Sequence, residues 1–306
     1  MTRCCNLKVL YRNNIYIVRS MMIHIRQIES VPLHTIPYQY PEQGGKVVSA
    51  SFPIYRVHAH GLPPGLKALL VTSDLQGREP ERSRPVEERR LLGELVAEEI
   101  QILGELGEVP SANTTGVLLA GDLYVAEDLG KRGGKGDVCD VWRCFRDRFR
   151  WVVGIPGNHD QFGERSLPPN EFISEPGIHY LDHGVISLDG VKFGGLGGVV
   201  GNPSKPFRRD ERSFLRDLET VAAQGPDVIV LHEGPAGQMP RRPGNHAVRG
   251  LLERLPSALV VCGHCHWDGH EQEELPNGTQ ILNCDARAYI IQSEQDAAPD
   301  AAKPRR

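Results

Sequence analysis

An α/β fold is predicted by three features of this 306-residue sequence. Short apolar runs bounded by turn residues recur over residues 66–292, as strands do. Two longer segments between them repeat apolar residues at helical spacing. Five short polar motifs each follow a strand-like run, and in open α/β folds ligands gather beyond the carboxyl ends of strands. The length allows one large domain or two small ones.

In chain order, residues 1–65 read as an N-terminal extension. Its β-like pieces Ile15–Val18, Lys46–Ala50 and Tyr55–Val57 are broken by prolines, so they are expected either to join a sheet edge or to stay partly disordered. The main domain, 66–292, opens with the strand Ala68–Thr72. A helix follows Ser83 and Pro85, opens with Glu87 and Glu88, and repeats Leu92, Val96, Leu103 and Leu106. Val117–Ala120 and Trp151–Ile155 are the next strands. Val185–Leu188 and Val191–Phe193 flank Asp189-Gly190, which tolerates positive φ and predicts a hairpin. A second helix starts near Asp210, spaces Phe214, Leu215, Leu218, Val221 and Ala222 on one face, and stops at Gly225-Pro226. Val228–Leu231, Ala258–Cys262, Gln280–Asn283 and Ala288–Ile291 complete the strands. Residues 293–306, polar and rich in Ala, Pro and Arg, are expected to form a disordered tail.

The composition, 40% hydrophobic and 24% charged, is that of a soluble globular protein. A net charge of -4 carries no specific nucleic-acid signature. No apolar stretch approaches the roughly 20 residues of a membrane segment, and the N-terminus lacks a signal-peptide core. Seven unevenly spread cysteines suit reduced thiols better than a disulfide framework, so a cytoplasmic location is expected.

The five motifs are Ser73-Asp74-Leu75-Gln76-Gly77, Gly121-Asp122, Gly157-Asn158-His159-Asp160, Leu231-His232-Glu233 and Gly263-His264-Cys265-His266. Their residues include two aspartates, an asparagine and three histidines, the donor types that a two-metal hydrolytic site needs. A bridging carboxylate offsets part of the repulsion between two cations. Imidazoles bind as neutral ligands. If His264 and His266 lie on an extended strand, they point the same way.

With these motifs in this order, residues 66–290 resemble the calcineurin-like metallophosphoesterases. The resemblance implies a four-layer α-β-β-α sandwich of two mixed sheets, with the active site at the strand carboxyl ends. It implies Asp74 on the first metal, Asp122 bridging both, Asn158, His232 and His264 on the second, and His266 closing the first. His159 would act as general acid or phosphate-binding group, with Asp160 orienting its ring. The implied reaction is hydrolysis of a phosphomonoester or phosphodiester by a metal-bridging hydroxide.

One position departs from the family. Its first motif usually reads Asp-x-His; here it is Asp74-Leu75-Gln76. An amide oxygen is a weaker and harder ligand than imidazole and favours Mn²⁺ or Mg²⁺ over Zn²⁺ there. The cofactors expected are therefore two divalent ions, Mn²⁺ first, with Fe, Zn²⁺ and Mg²⁺ as alternatives. The competing reading is a catalytically degenerate scaffold of the same fold that binds protein partners, and Gln76 is the feature that favours it.

The remaining signals are weaker. Cys262-Gly263-His264-Cys265 lacks the context of a redox or zinc motif, so its thiols are expected to pack around the histidines. His58-Ala59-His60 reads as structural. The glycine-rich stretch 194–203 lacks a dinucleotide fingerprint and is expected to be a flexible loop with positive-φ residues. Arg208, Arg209 and His246 follow motif-bearing strands and are candidates to grip a substrate phosphate. Selectivity is expected in the loops around 131–145, 200–210 and 234–247.

Overall fold

The computed structural model describes residues 6–11, 14–19, 22–42, 44–81, 88–130, 133–268 and 272–293. In chain order the first elements are β1 (Asn6–Tyr11), β2 (Asn14–Arg19), β3 (His24–Ile28), β4 (His34–Pro41), β5 (Val47–His60), β6 (Ala68–Ser73), α1 (Leu92–Glu105) and β7 (Thr115–Leu119). Then come β8 (Gly136–Asp137), α2 (Cys139–Arg148), β9 (Trp151–Gly154), β10 (Asp160–Gln161), α3 (Asn170–Ile173), β11 (Ile178–Tyr180), β12 (Gly184–Leu188) and β13 (Val191–Leu196). The last are β14 (Val199–Val200), β15 (Arg208–Arg209), α4 (Glu211–Ala222), β16 (Val228–Glu233), α5 (His246–Leu252), β17 (Leu259–Gly263), β18 (Gln272–Glu274), β19 (Gln280–Asn283) and β20 (Arg287–Ser293).

Two mixed sheets carry the fold. The first has the order β11-β9-β7-β6-β20-β5-β3, with β4 also on β5. In it β6, β7, β9 and β11 run parallel, while β20 is antiparallel to β6 and parallel to β5. The second has the order β12-β13-β16-β17-β19-β18, parallel at its centre and antiparallel at both edges.

Alternation along the strands sorts side chains between layers. Leu69, Val71, Leu118, Val153 and Tyr289 of the first sheet meet Val228, Val230, Leu259, Val261 and Leu282 of the second. Their neighbours Leu70, Val117, Leu119 and Val152 turn the other way, onto Val96 and Ile100 of α1 and Trp142 and Phe145 of α2. Ile229, Leu231, Val260 and Ile281 turn outward onto Phe214 and Leu218 of α4 and Val248 and Leu252 of α5. The result is the expected α-β-β-α sandwich. Strands buried on both faces read as continuous apolar runs, which is why they were visible in the sequence.

The strand forecasts over 66–292 match observed strands to within a few residues at each end. Asp189 (φ 49°) and Gly190 (φ 84°) form the β12–β13 turn, with Leu188 opposite Val191. At α4 the Asp210 carboxylate accepts the Ser213 N–H at 3.0 Å, and Gly225 leaves the helix with φ 66°.

Two expectations need correction. Helix α1 begins at Leu92, after Glu88, where the sequence predicts it to be under way; Ser83, Pro85 and Glu87 lie outside the described residues. Residues 90 and 91 are held in extended pairing: Glu79 N–H donates to Arg90 O at 3.0 Å, and Arg78 bridges Leu91. Leu106, at the end of α1, is 70% exposed rather than core. The glycine-rich stretch is partly strand, through Leu196 and again at Val199–Val200, rather than all loop. Gly194 and Gly195 lie in β13, where a Cβ would sit 2.7 Å from Val221 and 2.8 Å from Ile155. Only Gly198 there has positive φ, 72°. Close packing between layers, rather than flexibility, demands glycine at 194 and 195.

Residues 24–60, read as an extension, supply β3, β4 and β5 of the first sheet. The forecast disordered tail after residue 293 lies outside the described residues. No helix among the described residues is long and apolar enough to cross a membrane.

Candidate metal centre

The candidate residues sit where strands end. Asp74 follows β6, Asp122 follows β7, Asn158 follows β9, His232 lies near the end of β16, and His264 follows β17. Asp74, Asp122 and His264 have φ values of 55°, 57° and 68°, left-handed turns that bend each chain across the top of the sandwich. The motif glycines make this crowding feasible. A Cβ on Gly157 would collide with the Asp122 carboxylate, one on Gly121 with the Gly157 backbone, and one on Gly263 with Ser73 and Asp74.

One group of donors is tight. Ligand atoms of Asp122, His232 and His264 all lie within 4.8 Å of one another. His232 is fully buried, and its Nδ1 lies 2.8 Å from Ala120 O. Donation to that carbonyl fixes the ring and turns Nε2 toward Asp122 Oδ2, 3.3 Å away. The register of β16 against β17 shifts between Leu231 and Glu233, so His232 occupies an irregular position on the strand. Asn158 Oδ1 and His232 Nε2 are both buried without a hydrogen-bond partner. An orphaned buried amide oxygen, and an imidazole nitrogen that faces a buried carboxylate, fit a bound cation, since burial without a partner is costly.

A second group surrounds a cavity of about 320 Å³, to which Asp74, Gln76, His266 and Asp285 contribute. Asp74 Oδ2 accepts from Ser73 Oγ at 2.7 Å and from the His264 N–H at 2.9 Å. Gln76 Nε2 donates to Asp122 Oδ2 at 3.1 Å, linking the two groups. His266 Nδ1 lies 2.8 Å from Asp285 Oδ2, with the histidine side chain 57% exposed.

The electrostatics reflect crowded carboxylates. Burial drives the Asp74 carboxyl well up, and Asp285 nearby pushes it further. Burial also raises Asp160, to about 6, with help from Asp122. At Asp122 burial is outweighed by His232, which holds it down at about 2. Burial works against a charge on His232, but the Asp122 carboxylate wins and raises the ring to about 10. His264 is pushed down to about 4 by burial and by His232, leaving a neutral ring with a lone pair. A divalent cation would relieve this excess of negative charge.

Three sequence expectations take a different form. Asp160 does not orient the His159 ring: it accepts the N–H groups of Asp122 (2.9 Å), Leu123 (2.8 Å) and Gly157 (2.8 Å). It therefore ties two motif loops together. His264 and His266 do not share an extended strand, because β17 ends at Gly263 and His264 is left-handed. They belong instead to the two different groups. Arg209 is committed to structure, donating to Gly197 O at 2.6 Å and Asp182 Oδ1 at 2.7 Å. Arg208 lies half-buried on β15, where its charge acts on Glu233. His246 is exposed at the start of α5.

His159 sits at the rim, its side chain 23% exposed and Nε2 4.0 Å from Asp122 Oδ2. Its backbone N–H donates to Asp122 Oδ1 at 2.9 Å. Cys262 is buried and Cys265 half-buried beside the histidines, and both are free thiols.

Asp285 was missed in the sequence. It follows β19 as the other candidates follow their strands, and Asn283 Oδ1 accepts its N–H at 3.1 Å. Asn283-Cys284-Asp285 is a polar motif after an apolar run, so the signal was present in the same form as the other five.

The chain belongs to the calcineurin-like phosphoesterase family, whose model matches residues 68–268. At family level this places it among phosphoester hydrolases. Among solved structures it is similar to the TT1561 protein of Thermus thermophilus, at 16% identity and a TM-score of 0.51, covering 72% of this chain and 90% of that one. It is also similar to phosphopantetheinyl hydrolase from Mycobacterium tuberculosis, at 15% identity and a TM-score of 0.43, covering 77% and 100%. At these identities the likeness is one of fold. No curated protein matches the chain.

Proposed function

We propose that this chain is a metal-dependent phosphoesterase that hydrolyses a phosphomonoester or phosphodiester with two divalent cations. The observation that carries the reading is the cluster of Asp122, His232 and His264, whose ligand atoms lie within 4.8 Å of one another, together with the unpartnered buried Oδ1 of Asn158 next to Gly157, which packs on Asp122. Asn158, His232, His264 and Asp122 would hold one cation. Asp74, Gln76, His266 and Asp122 would hold the other, with Asp285 fixing the His266 ring. Gln76 would turn its amide oxygen inward to serve, exchanging its present bond to Asp122. That oxygen-rich second site favours Mn²⁺. Bound cations would supply Lewis acidity, lower the pKa of an attacking water and spread charge from the phosphoryl oxygens.

The chain's own residues do the rest. The Ala120 carbonyl engages Nδ1 of His232, so Nε2 is the nitrogen that would give up its proton and face a cation. Asp160 holds the Asp122 and Gly157 backbones in place. His159, at the rim and beside the Asp122 carboxylate, is placed to protonate the leaving oxygen. The five described cysteines are free, and we assign the reaction to the cytoplasm on that basis.

The test is bound metal per chain together with turnover of bis-p-nitrophenyl phosphate and p-nitrophenyl phosphate in Mn²⁺. Near two metals with Mn²⁺-dependent turnover supports the reading. Asp122→Asn should then lower turnover by on the order of a thousandfold. Absence of both metal and turnover would replace the enzyme with a scaffold of the same fold.

A further inference from the structure

The cavity beside the candidate centre has one wall from outside the family-matched segment. Asp74, Gln76, His266 and Asp285 line one part of it, and Tyr38 and Tyr40 of β4 line another. Its volume of about 320 Å³ suits a small organic group. The two tyrosines are two residues apart on a strand and so share a face. Their rings stack, with centroids 5.6 Å apart and planes at 27°.

This wall is fastened to the catalytic motif. Gln39, between the tyrosines, exchanges backbone hydrogen bonds of 2.9 Å in both directions with Arg78, two residues beyond Gln76. The Tyr38 ring lies over Gly77, where any Cβ would collide with it. Phe52 backs Tyr38 edge-on at 6.4 Å. The first motif therefore ends in glycine to admit an aromatic ring. The described lining residues include carboxylates and no lysine or arginine. Such a wall disfavours an anionic tail and favours a flat, uncharged one.

We propose that Tyr38 and Tyr40 form a subsite for a planar aromatic ring carried on the alcohol side of a phosphate ester, an aryl group or a nucleobase. The assignment rests on the phosphoesterase reading above, in which the phosphate lies by Asp74, Gln76 and His266. Stacking on an aromatic side chain is sequence- and substituent-tolerant, because every such ring offers a π face.

Benzylphosphonate and cyclohexylmethylphosphonate test this directly. They share the anionic group and nearly the same size, and only the first is flat. Titration calorimetry on the full-length chain with Mn²⁺ should show benzylphosphonate bound about tenfold more tightly, the lower range for such a stack. Tyr40→Leu should bring that ratio to about one, and Tyr40→Phe should preserve it. Adenosine 5′-monophosphate against ribose 5-phosphate separates the two sources: a larger preference there than for benzyl assigns a nucleobase, and a smaller one a simple aryl group. Equal wild-type affinities for the two phosphonates, binding of neither, or an unchanged ratio in Tyr40→Leu would overturn the subsite. Turnover of the p-nitrophenyl esters is read in parallel. A chain that hydrolyses them without ring preference keeps the function and loses the subsite. One that discriminates the phosphonates without turnover loses the function and keeps the subsite.

Discussion

Asp74, Asp122 and His264 all adopt left-handed backbone at the ends of their strands. Such a conformation costs on the order of 1 kcal/mol or more at a non-glycine residue. It persists because neighbours over-determine it: Asp74 N–H donates to Gly121 O at 3.0 Å, and the His264 N–H to Asp74 Oδ2 at 2.9 Å. Strain gathered at three candidate donor residues fits a site held ready for its ligand. His159 differs, since its backbone is the part bound to Asp122 while its ring remains at the rim. His159→Gln should therefore leave the metal content unchanged and lower kcat by roughly 100-fold or more. Loss of metal in that variant would make His159 a ligand instead. At this scale much was legible in the sequence, because each donor follows an apolar run. Gln76 was legible as a departure, though not its bond to Asp122.

Elements are also joined by polar contacts outside the core. Glu175, between α3 and β11, accepts from Arg143 Nη2 at 2.8 Å and from Arg146 Nη1 at 2.9 Å, both on α2. Hydrogen bonding from Arg143 holds its carboxyl below the ordinary value of 4.5. A depressed folded-state pKa means that the unfolded chain binds the proton more readily. The contribution to stability is thus complete above about pH 4.5 and is lost as pH falls through the lower folded value. Glu175→Gln should lower stability by about 1 kcal/mol or less at pH 7, because the pair is partly solvated. The difference from wild type should vanish in strongly acidic buffer. Urea melts at pH 7 and pH 3 would show this, and a gap that persists unchanged at pH 3 would contradict it. The helix forecasts taught the same lesson. Asp210 and Gly225 marked α4 locally, whereas the start of α1 was decided by pairing of residues 90 and 91 with 78 and 79.

Across the whole molecule, β20 lies between β5 and β6, so the last strand among the described residues completes the first sheet next to strands from the N-terminal part. A chain beginning at residue 66 would expose the β20 edge, together with the apolar face now covered by Ile54 and Val57. Unpaired apolar edges invite aggregation. That truncated chain should be largely aggregated on size exclusion. A folded monomer with Mn²⁺-dependent turnover would show instead that residues 24–60 serve only the tyrosine wall.

The sequence alone determined the α/β class, most strands, the hairpin at Asp189-Gly190 and the order of the candidate donor residues. These are local: apolar runs, turn residues and helical spacing are all read within a few positions. It did not determine which donors meet. Asp74, Asp122 and Asn158 come from the first sheet and His232 and His264 from the second, so their meeting depends on how the two sheets pack. The split between His264 and His266 depends on a left-handed turn after β17. The place of Tyr38 and Tyr40 depends on β4 pairing with β5 and reaching Arg78, contacts between distant parts of the chain. Only tertiary structure fixes such contacts, because burial and backbone pairing choose among partners that each segment by itself cannot distinguish.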